Sequence, residues 1–254
     1  MINQNLTFKN KVAVVAGGTR GIGRAISLHL AQRGAKVIAL YARNREAADE
    51  LEKEALSNNL NLTTIRGDLT HPEKSKEVYQ QINDHASQID FLIHSAASGV
   101  HRPATELTEK HLAWTFSINV FAIHSLILNL KPKMCRGSRI VGITSSGGTR
   151  VIPYYTAVGA SKGALESLFR HYAYEFAPEG ISVNMVCPGL VLTDAVDAFP
   201  EKETRIQKST EATPTGSLTT PEDVAHVVEF LCQPYSQQII GQTIIIDGGK
   251  TLLS

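Results

Sequence analysis

A glycine-rich turn between a predicted strand and a predicted helix is the feature of this sequence that most restricts the fold. The apolar run Val12–Ala16 is followed by Gly-Gly-Thr-Arg-Gly-Ile-Gly, and apolar residues at helical spacing then continue to Arg33. Glycines let a backbone approach phosphate groups closely, and a helix N-terminus offers free N–H groups and a partial positive charge. A plain turn is the alternative. In this context the sequence predicts a dinucleotide pyrophosphate site formed by Gly17, Thr19, Arg20, Gly21, Ile22 and Gly23.

Strand-like apolar runs alternate with amphipathic segments along the chain. Helices are predicted at 23–33, 45–56 and 72–85. Such alternation is typical of an α/β protein: a Rossmann-type, doubly wound parallel sheet of about seven strands with helices on both faces. No linker or repeat divides the chain, so residues 1–254 are expected to form one dinucleotide-binding and catalytic domain. The predicted strands are 12–16, 37–41, 62–66, 91–94, 140–143, 181–186 and 243–246.

The least regular segment is 190–217, which follows the end of a predicted strand. In an open α/β sheet, ligands bind outside the carboxyl ends of the strands. A long connection at that edge is therefore expected to be a substrate lid.

The charge balance and the cysteines narrow the class of protein. A net charge of +1, with lysines and arginines spread along the chain, argues against a nucleic-acid partner. The start resembles no signal peptide, and no apolar run approaches the roughly 20 residues that span a bilayer, so no membrane partner is expected. Three distant cysteines and scattered histidines predict reduced thiols, no metal site and a cytoplasmic protein.

The glycine spacing G-x-x-x-G-x-G, together with Tyr155 and Lys162, resembles that of the short-chain dehydrogenase/reductase family. The resemblance covers essentially the whole chain and implies a nicotinamide cofactor and a homotetramer. The cofactor contacts that it implies are Asp68 and Leu69 at the adenine, Ser95 and Ala96 after the fourth strand, Asn119 in a bent helix that organises water, Lys162 at the ribose, and Pro188, Gly189, Val191 and Thr193 at the nicotinamide.

The end of the second predicted strand indicates which nicotinamide is used. An acid there would bind the ribose 2′-hydroxyl and repel a 2′-phosphate, but the position holds Tyr41. Arg43 follows two residues later, and Arg20 lies in the glycine turn. Guanidinium groups suit phosphate geometry, so NADPH is favoured over NADH. The alternative is that Arg43 is merely a solvated residue at a helix start.

The position of the family's usual catalytic tyrosine, four residues before Lys162, holds Val158, which cannot donate a proton. Either the chain is inactive or the acid has moved. Tyr155 is seven residues before Lys162, about 20° from the same helix face, whereas Tyr154 is about 80° away and is the weaker candidate. Packing at a helix start is the alternative for Tyr155. Ser145 matches the usual active-site serine, with Ser146 as its alternative.

The shift of the tyrosine by one helical turn has a chemical logic. In ketone reduction, the carbon that receives the hydride carries the oxygen that needs the proton. In reduction of an α,β-unsaturated thioester, the hydride goes to the β-carbon and charge develops on an oxygen two carbons further on. One turn, about 5 Å, is a displacement of the right order for a donor to that oxygen.

Tyr-x6-Lys is the arrangement of the enoyl-acyl carrier protein reductases, and several segments resemble the enoyl reductase III branch: 96–100 with Arg102-Pro103, 193–195, Phe199-Pro200 and 241–245. The resemblance implies NADPH-dependent reduction of a 2-enoyl thioester held on acyl carrier protein. A CoA ester or another enone would satisfy the same two residues. A carbonyl reductase and a non-catalytic NADP(H)-binding protein are the competing functions. Apolar residues in the lid suggest an acyl chain: Val191, Val196, Ala198 and Phe199.

Two departures from the family pattern concern the cofactor turn. Ala16 stands where a threonine is usual, and 94–97 reads His-Ser-Ala-Ala instead of Asn-Asn-Ala-Gly. These changes put in question the contacts between the fourth strand and the turn. His94 is expected to be a core residue rather than a proton carrier.

Overall fold

Seven parallel strands form one sheet in the computed structural model, which describes residues 7–193 and 202–253. The strand order is β3-β2-β1-β4-β5-β6-β7, and all neighbouring pairs are parallel. The predicted α/β fold is confirmed. The strands are β1 (Val12–Ala16), β2 (Lys36–Tyr41), β3 (Leu62–Arg66), β4 (Phe91–His94), β5 (Arg139–Ile143), β6 (Ser182–Pro188) and β7 (Thr243–Ile246).

Helices connect the strands. The α-helices are α1 (Gly21–Gln32), α2 (Arg45–Ser57), α3 (Pro72–His85), α4 (Glu109–Phe116), α5 (Ala122–Leu130), α6 (Thr156–Phe176), α7 (Lys202–Glu211) and α8 (Pro221–Cys232). A π-helical turn, Ser117–Phe121, joins α4 to α5. Short 3₁₀ turns lie at Ala104–Glu106, Lys131–Lys133, Ser146–Gly148, Ala177–Glu179, Pro234–Ser236 and Lys250–Leu253.

Alternate residues of the central strands bury their side chains on opposite faces of the sheet. On one face, Val14 and Leu92 pack with side chains from α3, α5 and α6. On the other, Val15 and Ile93 pack with residues of α1 and α8. These strands are therefore apolar on both sides, which is why they read as continuous apolar runs in the sequence.

The chain reverses its direction of travel across the sheet between β1 and β4, which are neighbours. Such a switch point leaves a crevice outside the carboxyl ends of the two strands. The glycine turn follows β1, so it lies at that crevice.

The segment 190–217 is more regular than its sequence suggests, because it contains α7. Ser209 is the one buried residue of this helix, so the sequence offers no apolar stripe by which to predict α7. Of this segment, residues 194–201 lie outside the described part of the chain, and with them Asp194, Ala195, Val196, Ala198, Phe199 and Pro200.

Candidate active site

A cleft of about 480 Å³ opens at the carboxyl edge of the sheet, between the switch-point strands and the start of α6. It brings together most of the residues that the sequence predicts for cofactor binding and catalysis. Those that line it are Gly17, Thr19, Arg20, Gly21, Ile22, Tyr41, Arg43, Asp68, Leu69, Ser95, Ala96, Ser145, Tyr155, Lys162, Pro188 and Thr193.

Four predicted cofactor residues do not line the cleft: Gly23, Gly189, Val191 and Asn119. A Cβ on Gly23 would lie 2.0 Å from the Gly17 carbonyl oxygen, so this glycine permits the tight turn. The Gly189 N–H donates to the Ile246 carbonyl at 3.1 Å, and Val191 is a buried core residue. Asn119, the fourth, is buried near the catalytic helix.

The glycine turn and α1 form an anion-binding geometry. Arg20 precedes α1 with extended backbone angles and no side-chain cap, and the first helical turn contains no acid. The first turn of α1 therefore supplies no carboxylate of its own to compete for these N–H groups. Gly17 has a φ of +75°, and a Cβ on it would lie 2.7 Å from the Ala96 backbone. Any other residue would close the cradle, so these residues fit a dinucleotide pyrophosphate.

Backbone hydrogen bonds carry the contact between β4 and the glycine turn, despite the unusual side chains. The Ser95 N–H donates to the Ala16 carbonyl at 2.9 Å, and Ala16 pairs with His94 in the sheet. The departures at these positions therefore leave the junction of turn and strand intact.

His94 is a core residue, with 1% of its surface exposed. Its ring lies near the Asn119 backbone, but neither ring nitrogen reaches hydrogen-bonding geometry with a partner in the part of the chain that the structure describes. Burial lowers the pKa of His94 to about 3, so the ring is neutral at physiological pH.

Tyr41 at the end of β2, Arg43 and Arg20 all line the cleft, as the sequence predicts. Asp68 is the one acid among the described residues that line the cleft, and its Oδ1 accepts from the Thr70 N–H at 2.9 Å and the Thr70 hydroxyl at 2.6 Å. The guanidinium groups of Arg20 and Arg43 suit a bound phosphate, which both can neutralise.

Tyr155 lies at the other end of the cleft from Tyr41, immediately before α6 rather than within it. Its carbonyl oxygen accepts from the Gly159 N–H at 2.6 Å, and its phenol hydrogen-bonds with Ser145. Burial raises the pKa of the phenol in spite of that bond, so Tyr155 is protonated at neutral pH and can donate a hydrogen bond. Of the two candidate serines, Ser145 is therefore the one that hydrogen-bonds with Tyr155.

The two rival positions lie outside the cleft. Val158 is 4% exposed, and its Cγ2 occupies space beside Gly99, where a Cβ would lie 2.2 Å from it. Tyr154 has a φ of +64° and is 43% exposed. Among the described residues, Tyr155 is thus the tyrosine at this end of the cleft.

Lys162 is fully buried at the floor of the cleft, where its Nζ donates to the Ile143 carbonyl at 2.8 Å. Burial lowers its pKa to about 8. The ammonium form therefore prevails at neutral pH and gives way to the amine as the pH rises through that value.

Asn119 lies in the π-helical turn between α4 and α5, so the helix is interrupted there as the resemblance implies. Its Oδ1 accepts from the Ser98 N–H at 2.9 Å, and its Nδ2 donates to the Ser161 hydroxyl at 2.8 Å. Since Ser161 precedes Lys162, Asn119 links the loop after β4 to α6.

His101 and α7 border the catalytic end. The His101 and Tyr155 ring centroids are 5.6 Å apart, with the rings inclined by 39°. The pKa of His101 is lowered by burial and by the positive charge of Arg205 on α7. Lys250 Nζ donates to the Ser209 hydroxyl of α7 at 2.9 Å, which holds the helix to the C-terminal turn.

Several lining residues are not predicted by the sequence, and two groups of them border the Tyr155 end of the site. Trp114, Ile118 and Ala122 line the cleft from α4, the π-helical turn and α5. Their spacing of four residues is a helical stripe, which the sequence could have revealed but which is equally typical of a core face. Thr144 lines the floor, and its only sequence signal is its place directly before Ser145.

Comparison with known proteins gives a consistent family assignment. The family described as Enoyl-(Acyl carrier protein) reductase matches residues 16–251. The 1-cyclohexenylcarbonyl-CoA reductase of Streptomyces collinus is 28% identical over 99% of this chain and 90% of its own length. A hydroxynaphthalene reductase-like protein of Metarhizium robertsii is 31% identical over 96% of both, and a tropinone reductase homolog of Arabidopsis thaliana is 33% identical over 97% and 94%.

Solved structures share the whole fold. A dehydrogenase/reductase from Sinorhizobium meliloti superposes with a TM-score of 0.90 at 30% identity, covering 98% of each chain. A short-chain dehydrogenase from Burkholderia cenocepacia in complex with NADP gives a TM-score of 0.86 at 28% identity, covering 96% of this chain and 99% of its own.

Proposed function

The chain belongs to the short-chain dehydrogenase/reductase family, and we propose that it uses NADPH to reduce the C2=C3 double bond of a 2-enoyl thioester. Its reductase relatives support an oxidoreductase that uses a nicotinamide cofactor. The choice of an enoyl substrate rests on the catalytic end of the cleft.

The observation that carries the proposal is the placement of Tyr155 in the cleft and of Val158 outside it. A ketone reductase needs its proton donor at the oxygen carried by the carbon that receives the hydride. A donor displaced along the helix suits an oxygen further from that carbon, which is where charge develops in an enoyl thioester.

The bound cofactor would supply the hydride to the substrate β-carbon. The Tyr155 phenol donates a hydrogen bond to the thioester oxygen and stabilises the enolate charge. Lys162 binds the ribose hydroxyls and, as an ammonium, favours negative charge near the Tyr155 oxygen. Ser145 orients the phenol. A proton from Tyr155 or from solvent then completes the product at the α-carbon.

The preference for NADPH is also part of the proposal. It is supported by Arg20 and Arg43 at the Tyr41 end of the cleft, and by the NADP complex of the Burkholderia relative. Michaelis constants for both nucleotides test it, and a clear preference for NADH would contradict it.

The deciding experiment is NADPH oxidation measured with a series of 2-enoyl thioesters of increasing chain length and with the matching 3-oxoacyl thioesters. We expect turnover of the enoyl series. Higher activity on the 3-oxoacyl series would instead establish carbonyl reduction. NADPH binding with no oxidation across both series would indicate a binding protein.

Carbonyl reduction is the second candidate, because two of the relatives are named as a hydroxynaphthalene reductase-like protein and a tropinone reductase homolog. The Streptomyces relative, in contrast, is named for a CoA thioester of a cyclohexenyl acid. We favour the enoyl substrate because Val158 is buried away from the cleft.

The carrier of the substrate is proposed to be acyl carrier protein, with CoA as the alternative, and α7 with the rest of 190–217 is proposed to cover the acyl chain. The contact of His101 with Tyr155, and its electrostatic coupling to Arg205, support a lid at this end. Comparing acyl carrier protein and CoA thioesters of one chain length distinguishes the carriers.

We further propose a homotetramer. Contrary to the expectation that no segment is apolar and long enough, Glu109–Lys133 would pass as a membrane span by length and composition alone, and part of it is buried in the domain. Its exposed face carries Phe121 and Leu128, which are 58% and 54% exposed, and Tyr174 of α6 is 84% exposed. A second copy would cover this apolar surface. Light scattering of the purified protein tests the tetramer, and a monodisperse monomer would contradict it.

A further inference from the structure

A buried carboxylate lies behind the catalytic residues. Glu166, on α6 one turn after Lys162, is 6% exposed, and its Oε1 accepts from the Thr144 hydroxyl at 2.7 Å. The reaction proposed above does not use it. Burying a carboxylate is costly unless it is compensated, so its presence next to the active site calls for a reason.

The bond to Thr144 reaches both catalytic groups through the backbone. Thr144 lies between Ile143, whose carbonyl accepts the Lys162 Nζ at 2.8 Å, and Ser145, which hydrogen-bonds with Tyr155. The Thr144 N–H donates to Val186 at 2.9 Å and continues the pairing of β5 with β6. Glu166 thus anchors the three-residue segment that holds Lys162 and Tyr155.

The groups that face Lys162 come from several elements, and Glu166 is the carboxylate among the described residues whose charge acts on its ammonium. Cys187 on β6 is a neutral thiol, because burial raises its pKa to about 12. His94 on β4 has its pKa lowered to about 3 by burial and is also neutral. Tyr155 is kept protonated by burial. Glu166 is therefore the group placed to compensate the buried ammonium.

We propose that Glu166 is a positioning residue: its carboxylate keeps the Lys162 ammonium charged, and its bond to Thr144 fixes the segment that orients Lys162 and Tyr155. The charge effect concerns cofactor binding and does not depend on the identity of the substrate. The orientation of Tyr155 rests on the proposed enoyl reduction.

The test follows NADPH affinity by nucleotide fluorescence from about pH 7 to about pH 10. Wild-type affinity should fall as Lys162 loses its proton. Glu166→Gln keeps the acceptor for Thr144 but removes the negative charge. The midpoint of the fall in NADPH affinity should therefore lie about one pH unit below that of the wild type. Glu166→Asp keeps the charge and should keep the midpoint near that of the wild type. Glu175→Gln makes the same chemical change at an exposed site of α6 and should have no effect.

A merely structural role predicts a different result: Glu166→Gln would weaken binding by one factor at every pH, or Glu166→Asp would move the midpoint as far as Glu166→Gln does. Either result would overturn the proposal. If Glu166→Gln does not fold, Thr144→Val tests whether the bond between Glu166 and Thr144 fixes the segment that orients Lys162 and Tyr155. It keeps the carboxylate, so the midpoint should stay, while turnover falls about tenfold; unchanged turnover would refute the anchoring role.

Failure of the enoyl reaction can be told apart from failure of this inference. Without enoyl reduction, no 2-enoyl thioester oxidises NADPH, but the binding titration still reports on Glu166.

Discussion

The Val158 side chain occupies the space next to Gly99: a Cβ at Gly99 would lie 2.2 Å from Val158 Cγ2 and 3.2 Å from Thr115 Cγ2. The residue in the usual tyrosine position thus packs against the loop after β4 instead of facing the cleft. This contact occupies the position that a tyrosine holds in the family's usual pattern, and it can be tested directly.

Gly99→Ala should lower the free energy of unfolding by about 1–3 kcal/mol, because the new methyl overlaps Val158. In a Val158→Ala background the cost should be largely relieved, giving a coupling free energy of about 1 kcal/mol or more in a double-mutant cycle. Denaturant unfolding of the four proteins measures it. Additive costs would show that the two residues do not compete for space.

Tyr155→Phe should lower kcat on a 2-enoyl thioester by about 100- to 1000-fold, because a donor to the developing oxyanion is lost. NADPH affinity should persist. Tyr154→Phe is the matched control and should change kcat less than about twofold, since Tyr154 lies outside the cleft. If Tyr154→Phe were the damaging change, the assignment of the acid would be wrong.

The activity of the wild-type enzyme should decline as the pH rises through about 8, the value to which burial lowers the pKa of Lys162. The ammonium is the active form, so activity is present below this pKa and lost above it. A profile of kcat/KM against pH measures the midpoint. A flat profile up to about pH 10 would show that Lys162 stays charged.

Arg43→Ala should raise the Michaelis constant for NADPH by about 10- to 100-fold and leave that for NADH nearly unchanged, because a charge-assisted bond to the 2′-phosphate is lost. Arg45→Ala is the control, since Arg45 pairs with Asp49 at 3.6 Å and does not line the cleft. Equal effects of Arg43→Ala on both nucleotides would argue against a 2′-phosphate site.

The stability of the protein should fall as the pH drops below about 6.5, partly because of His94. Its pKa is about 3 in the folded state against 6.5 for a free histidine, so the unfolded chain binds the proton more readily in this window. Between about pH 7 and about pH 5, the free energy of unfolding should fall by about 2 kcal/mol less in His94→Leu than in the wild type. Denaturant unfolding at both pH values measures this, with exposed His85→Leu as control. Parallel losses in wild type and His94→Leu would contradict a neutral, buried ring.

The sequence predicted the strands closely because each is an apolar run bounded by turn residues. Predicted strands 12–16, 62–66, 91–94 and 243–246 agree with the structure in both bounds. The first helix begins at Gly21 rather than Gly23, because the glycine turn already provides its first helical residues. Helix α7 was not predicted, since its sequence is polar almost throughout.

The cofactor cradle could be predicted for the same reason: its glycines, the strand before them and the helix after them are continuous in the sequence. The floor of the cleft could not. Thr144 and Glu166 are 22 residues apart, and nothing in their spacing indicates that they share a hydrogen bond.

The sequence by itself determined the alternation of strands and helices, the glycine turn and the replacement of the usual tyrosine by Val158, because each depends on spacing along a few consecutive residues. Only the tertiary structure decided that Tyr155 rather than Tyr154 faces the cleft, that Val158 packs beside Gly99, and that Glu166 lies behind Lys162. Those relationships depend on how distant segments pack against one another, which local patterns do not specify.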